Sequence, residues 1–177
     1  WNEMMQYVTD EGTQGICPEG WHIPTDDEWK TLEGTVDSQY PIGDPLWNNS
    51  GFRGFDAGLI LKSTYGWDNN SNGSDIFGFT GLPAGFRSWF NASFSGQNII
   101  TYFWTSSETD ENDSWGRGLE VDEDGVSRYH DEKTGGFSVR CIFGEYIPVN
   151  QPPETPSSPI PEDGAENQSI ETELSWT

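Results

Sequence analysis

At 177 residues the chain has room for one domain with a sizeable core, and its 30 acidic against 8 basic side chains give a formal net charge of -22. That balance excludes nucleic acid as a partner, because phosphate binding depends on Lys and Arg neutralising the backbone, and it suits solubility outside the cell and divalent cations. No run approaches the roughly 18 consecutive apolar residues of a membrane span, so no membrane insertion is expected.

Nine Trp, six Tyr and ten Phe supply most of the hydrophobic cover. Trp1, Met4, Met5 and Val8 recur at i, i+3, i+4, i+7, so residues 1 to about 9 read as an amphipathic helix stopped near Gly12. A second helix starts at a capping box, Thr25 followed by Glu28, with Pro24 just before it and Trp29, Leu32 and Val36 on one face. Both stripes suit packing against a sheet.

The two cysteines, Cys17 and Cys141, lie near the ends of this apolar region. Too few for a disulfide-rich scaffold and without the neighbours of a zinc site, they read as one structural disulfide, with two buried free thiols as the alternative. A bridge would close a loop of about 125 residues, a constraint of roughly 5 kcal/mol on the unfolded chain.

From about 51 to 143 short apolar runs alternate with Gly, Asn, Asp and Ser. Residues 68–75, with oxygen side chains at alternate positions and Gly73 sixth, open like a calcium loop, which makes Asp68, Asn70, Asn72 and Asp75 the candidate calcium ligands. Phe79 stands where an EF-hand has its bidentate Glu, and a plain polar turn is the other reading. The acidic cluster Asp110, Glu111, Asp113, Asp122 and Asp124 reads first as a solvated hairpin edge. Asp122-Glu123-Asp124-Gly125 separates 119–121 from 126–129 as a hairpin, and Phe137, Val139, Cys141 and Phe143 alternate with Ser138, Arg140 and Ile142 as a last strand.

Past Phe143 the composition changes. Six of the eleven prolines fall in 148–161, and no Lys or Arg follows Arg140. Residues 145–161 therefore read as a semi-rigid spacer, and 162–177 resemble the opening of an Ig-like or fibronectin-III-like domain cut short. The chain opens at Trp1 and stops at Trp176-Thr177 inside an apparent strand, so it is expected to be a processed or excised piece of a longer protein.

Five blocks in order carry a family resemblance: Cys17-Pro18-Glu19-Gly20-Trp21-His22-Ile23-Pro24-Thr25 with Glu28-Trp29, Leu61-Lys62-Ser63 with Gly66-Trp67, Gly78 to Arg87, Phe103-Trp104-Thr105-Ser106-Ser107, and Gly136-Phe137-Ser138-Val139-Arg140-Cys141. Together they resemble the Fibrobacter-type major paralogous domain over residues 1–144. Blocks 83–89 and 136–141 are similar to the pair that brackets the ligand face in formylglycine-generating-enzyme-like and retroelement-diversified variable proteins. The resemblance implies an α+β, C-type-lectin-like fold with two helices beside a twisted antiparallel sheet and long loops, in a secreted or surface protein of bacteria.

Trp21, Trp29, Phe79, Phe86 and Trp104 sit in apolar contexts and read as core. Trp89, Trp115 and Tyr129, with Arg117 as a polar partner, are the candidate ligand-binding residues, because locally polar aromatics suit stacking on a sugar ring or a peptide. An enzyme finds little support: His22 and His130 have no nucleophile motif near them, and no phosphate loop or metalloprotease motif appears. The expected function is an extracellular ligand-binding module, for carbohydrate or surface adhesion, in a modular bacterial surface protein. Its partners would be a glycan or protein on another surface and the neighbouring Ig-like domain. The rival is a structural spacer that binds nothing.

Overall fold

Helix α1 (Asp26–Val36) begins where its capping box places it: Thr25 Oγ1 accepts from the Glu28 amide at 3.2 Å, and Glu28 Oε2 accepts from the Thr25 amide at 2.9 Å. Its buried stripe is Trp29, Glu33 and Val36, with a carboxylate among the apolar residues. A short second helix, α2 (Ala57–Leu61), packs beside it. These elements belong to a computed structural model that describes residues 1–146; the expected spacer beyond residue 146 and the expected Ig-like opening at 162–177 lie outside the described residues.

The main sheet has four antiparallel strands in the order β2, β7, β6, β5, formed by β2 (Gly51–Arg53), β5 (Ile100–Glu108), β6 (Asp113–Glu120) and β7 (Val126–Glu132). The expected hairpin is the β6–β7 pair, and Asp122 takes the left-handed conformation in its turn. Two small pairs complete the topology: β1 (Trp21–His22) with β8 (Ile142–Phe143), and β3 (Phe86–Arg87) with β4 (Phe94–Ser95). With two helices and an antiparallel sheet the fold is α+β.

One sheet face meets the helices. There Phe103, Leu119 and Val126 join Trp29, Trp47 and Leu61 in the larger core. On the opposite face Tyr102, Trp104 and Tyr129 lie under Phe137. A second core gathers Trp1, Met4, Met5, Cys17, Ile23 and Trp104 around the Cys17–Cys141 disulfide, whose Cα atoms are 5.9 Å apart.

Two expected elements differ. Residues 1–9 form turns, not a helix: after one helical turn from Met5 N to Trp1 O, Gln6 and Tyr7 take left-handed conformations and reverse the chain. Trp1, Met4 and Met5 are buried as their spacing required, but Val8 is exposed. Of the strand expected over 137–143, only Ile142–Phe143 pairs as β8. Upstream, Ser138 hydrogen-bonds to β5 through Tyr102 O and the Trp104 amide in a single parallel bridge, which still turns Phe137, Val139 and Cys141 to the second core. Trp21, expected in the core, is 40% exposed and meets Phe143 edge-on at 5.3 Å between ring centres.

Candidate functional site

Most of the scarce basic side chains point inward. Arg53, Lys62, Arg117, Arg128 and Lys133 are all buried. Glu33 pairs with both Arg53 and Arg117. Asp26 takes Arg117 Nη2 at 2.8 Å, Arg128 Nε at 2.8 Å and Nη2 at 2.9 Å, and Lys30 at 2.9 Å. Remaining donors reach backbone carbonyls: Arg53 to Trp47 and Val126, Arg128 to Asn48. Burial alone would raise the Asp26 carboxyl, but the Arg128 hydrogen bond and the Arg117 charge outweigh it and hold the group well below the usual carboxylate range. For Arg53, burial outweighs the attraction of Glu33 and lowers it to about 10.

Arg117 therefore offers no exposed surface and has its guanidinium engaged inside the domain. It is fully buried and welds α1 to the sheet. Strand register separates the other candidates. Trp115 stands opposite His130 and Arg117 opposite Arg128, on the helix-facing side, and the Arg128 guanidinium covers the half-buried Trp115 ring at 3.4 Å from its centre. Tyr129 stands opposite Gly116 and so projects from the other side, its ring 4.9 Å from that of Tyr102. Burial pushes its hydroxyl well above the usual phenol range, as expected of a packed side chain. Trp89, 46% exposed, is apart from both on the β3–β4 hairpin. The four expected ligand residues do not share one face.

In the 68–75 loop the oxygens serve the turn. Asp75 accepts from the Thr80 amide and hydroxyl, each at 2.7 Å, and Asn72 Oδ1 accepts from the Trp67 amide at 3.1 Å. Asp68 leads a short 3-10 turn in which Asn69 and Asn70 are left-handed. Among the described residues no group of three or more His, Cys, Asp or Glu is placed to hold a metal ion.

A concave surface does form where blocks 83–89 and 136–141 meet. Arg87 and Gly136 exchange both backbone hydrogen bonds, at 2.8 and 2.9 Å. On its other side Arg87 faces Phe94 across the hairpin. Asn91 Oδ1 holds the hairpin tip by accepting from the Ser93 amide and hydroxyl. Trp89 and Phe90 meet edge to face at 5.7 Å, and Phe90 and Phe94 are 78% and 85% exposed. A cavity of about 520 Å³ lies on one side of Arg87, walled by Trp104, Phe137, Val139 and Glu3. A second of about 310 Å³ lies on the other, walled by Phe86, Phe94 and Ser138. Arg87, Gly136 and Phe137 belong to both. These sizes suit small-ligand sites, which run from about 300 to 1,000 Å³ with apolar walls and few polar groups.

Phe90, Phe94 and Arg87 escaped the sequence reading as site residues. The signal was present: two aromatics just before Asn91-Ala92-Ser93 and one just after it mark a hairpin whose tip cannot bury them all.

The fold and this cleft define an α+β domain with an aromatic, arginine-bearing concavity. The model of the Fibrobacter succinogenes major domain matches residues 1–142, and the chain belongs to that family. No curated protein and no solved structure matches the chain.

Proposed function

We propose that residues 1–146 are an extracellular binding module that seats a glycan across the two cavities meeting at Arg87. The observation carrying this reading is that Trp89, Phe90 and Phe94 are exposed on one hairpin, with Phe94 lining a concavity of suitable size. Exposed apolar area costs about 25 cal/mol per Å², and aromatic faces with nearby hydrogen-bond donors are what a sugar ring stacks on. The Cys17–Cys141 disulfide fits an oxidising compartment outside the cytosol, and no helix among the described residues is long and apolar enough to cross a membrane.

The second reading is a spacer that binds nothing, favoured by the dispersal of Trp115, Arg117 and Tyr129. A glycan array decides between them. The full chain should bind a restricted set of saccharides, and a Trp89→Ala/Phe94→Ala double variant should lose that binding with its melting temperature within about 2 °C of the parent, because both side chains are largely exposed. An empty array, or full binding by the variant, would favour the spacer.

A further inference from the structure

We infer that the ligand seated at Arg87 carries an oxyanion, so that the module selects acidic saccharides, bearing uronic-acid carboxylates or sulfate esters, although its own surface is anionic. This rests on the glycan reading above and names its chemistry.

Among the described residues 24 carboxylates, counted from the sequence, face eight basic side chains. Most of those eight are committed. Lys30, Arg53, Arg117, Arg128 and Lys133 are ion-paired. Lys62 donates to the Glu120 and Glu123 carbonyls, while Arg140, exposed and over the Phe79 ring at 4.4 Å, lines neither cavity of this cleft. Lys133, which also walls the larger cavity, spends its ammonium on Glu108, Asp110 O and Glu111 O and has nothing left for a ligand. Arg87 alone lines both cavities of the cleft with donors to spare. No described carboxylate pairs with it, and of its five N–H donors one is used, from Nη1 to Thr134 O at 3.2 Å. In so acidic a domain, a guanidinium that lines a cavity without a described carboxylate partner leaves the place of that partner to something from outside.

The side chain is also held ready. Its backbone is fixed by the Gly136 bridge, and its stem lies on Gly136, where a Cβ would stand 2.9 Å from the Arg87 Cβ. The bridge and the Nη1 bond to Thr134 O restrict part of the rotamer freedom that binding would otherwise remove. A planar guanidinium fork matches a carboxylate or sulfate in two parallel hydrogen bonds, and such charge-assisted bonds are about twice as strong as those to a neutral hydroxyl.

Glu3 walls the larger cavity, so the oxyanion is placed on the side of the smaller one, which no carboxylate lines, and charges farther away than about 8 Å are largely screened at physiological ionic strength. The acidic surface does set the sign of the salt effect on encounter: at low ionic strength the domain repels an acidic ligand, so the association rate should rise as salt is first added.

The test is surface-immobilised oligogalacturonate, its carboxyl-reduced neutral counterpart, and sulfated and desulfated galactan oligomers, titrated with the full chain, with Arg87→Gln and with Arg87→Lys. At least one acidic member should bind roughly tenfold or more tighter than its neutral counterpart, and which pair responds distinguishes carboxylate from sulfate. Arg87→Gln should fall to the neutral level and Arg87→Lys should keep part of the preference, both with parental melting temperatures. Equal binding of acidic and neutral partners, or an undiminished preference in Arg87→Gln, overturns the oxyanion inference and leaves the glycan reading standing. No binding to these probes together with an empty array overturns both.

Discussion

Glu33 shows how a single residue can redirect a reading of function. It sits at i+4 from Trp29 and i-3 from Val36, on the apolar stripe of α1, and a carboxylate in that position needs a buried cation. The cations are Arg53 and Arg117, which explains why Arg117, polar and central in the sequence, has its guanidinium engaged inside the domain. Removing one partner from such a network strands the others. Asp26→Asn should therefore cost roughly 3–5 kcal/mol at neutral pH, measured by denaturant unfolding. Because the folded-state pKa of Asp26 is depressed, its contribution is fully present above about pH 4 and is lost as pH falls below that. Glu120 and Asp131, raised by burial, titrate in the opposite sense. The parent should lose stability steeply from about pH 4 to pH 2, and Asp26→Asn should lose less over that range. Parallel pH profiles would show that Asp26 does not couple folding to protonation.

Elements were legible where their determinants are local. The capping box of α1 and the Asp122–Gly125 turn each lie within a few residues, and both stand where the spacing put them. The failures are non-local. Residues 137–139 alternate like a strand but meet β5 in one parallel bridge, and the helical period is honoured in the burial of Trp1, Met4 and Met5 while Gln6 and Tyr7 reverse the chain and leave Val8 exposed. The cleft was legible as two bracketing blocks and illegible as a residue set, because strand register alone decides that Trp115 and Tyr129 face opposite ways. The 68–75 loop belongs at this scale too. Asp75 is engaged by Thr80 and Asn72 by the Trp67 amide, so the turn is closed by its own hydrogen bonds. Millimolar calcium or chelator should leave the melting temperature unchanged within about 1 °C, since only a ligand that binds the folded state raises it. A rise of several degrees with calcium would require the loop to rearrange into a cage.

Across the whole described domain, the second core is built from its two ends. Trp1, Met4, Met5, Cys17 and Ile23 come from the first stretch, Phe137, Val139 and Cys141 from the last, and Trp104 is wedged between them. Beyond apolar contact, the two-residue β1–β8 pairing and the Cys17–Cys141 bond join these ends. The bridge spans a sequence separation of 124, so opening it frees a long loop in the unfolded chain and should cost about 5 kcal/mol, a large share of the stability of an ordinary domain. Trp104, Phe137 and Val139 of this core also wall the larger cavity at Arg87, so the bond braces the binding face from behind. Reduction, or a Cys17→Ser/Cys141→Ser variant, should lower the denaturant midpoint sharply under conditions where the domain still folds. In the same samples glycan affinity should fall, while the β6–β7 amides, whose ladder is independent of the bond, keep their order in hydrogen exchange. A loss below about 1 kcal/mol would mean that the aromatic packing holds the two ends without the bridge. Unchanged affinity despite the lost stability would place the ligand away from the Trp104–Phe137 wall.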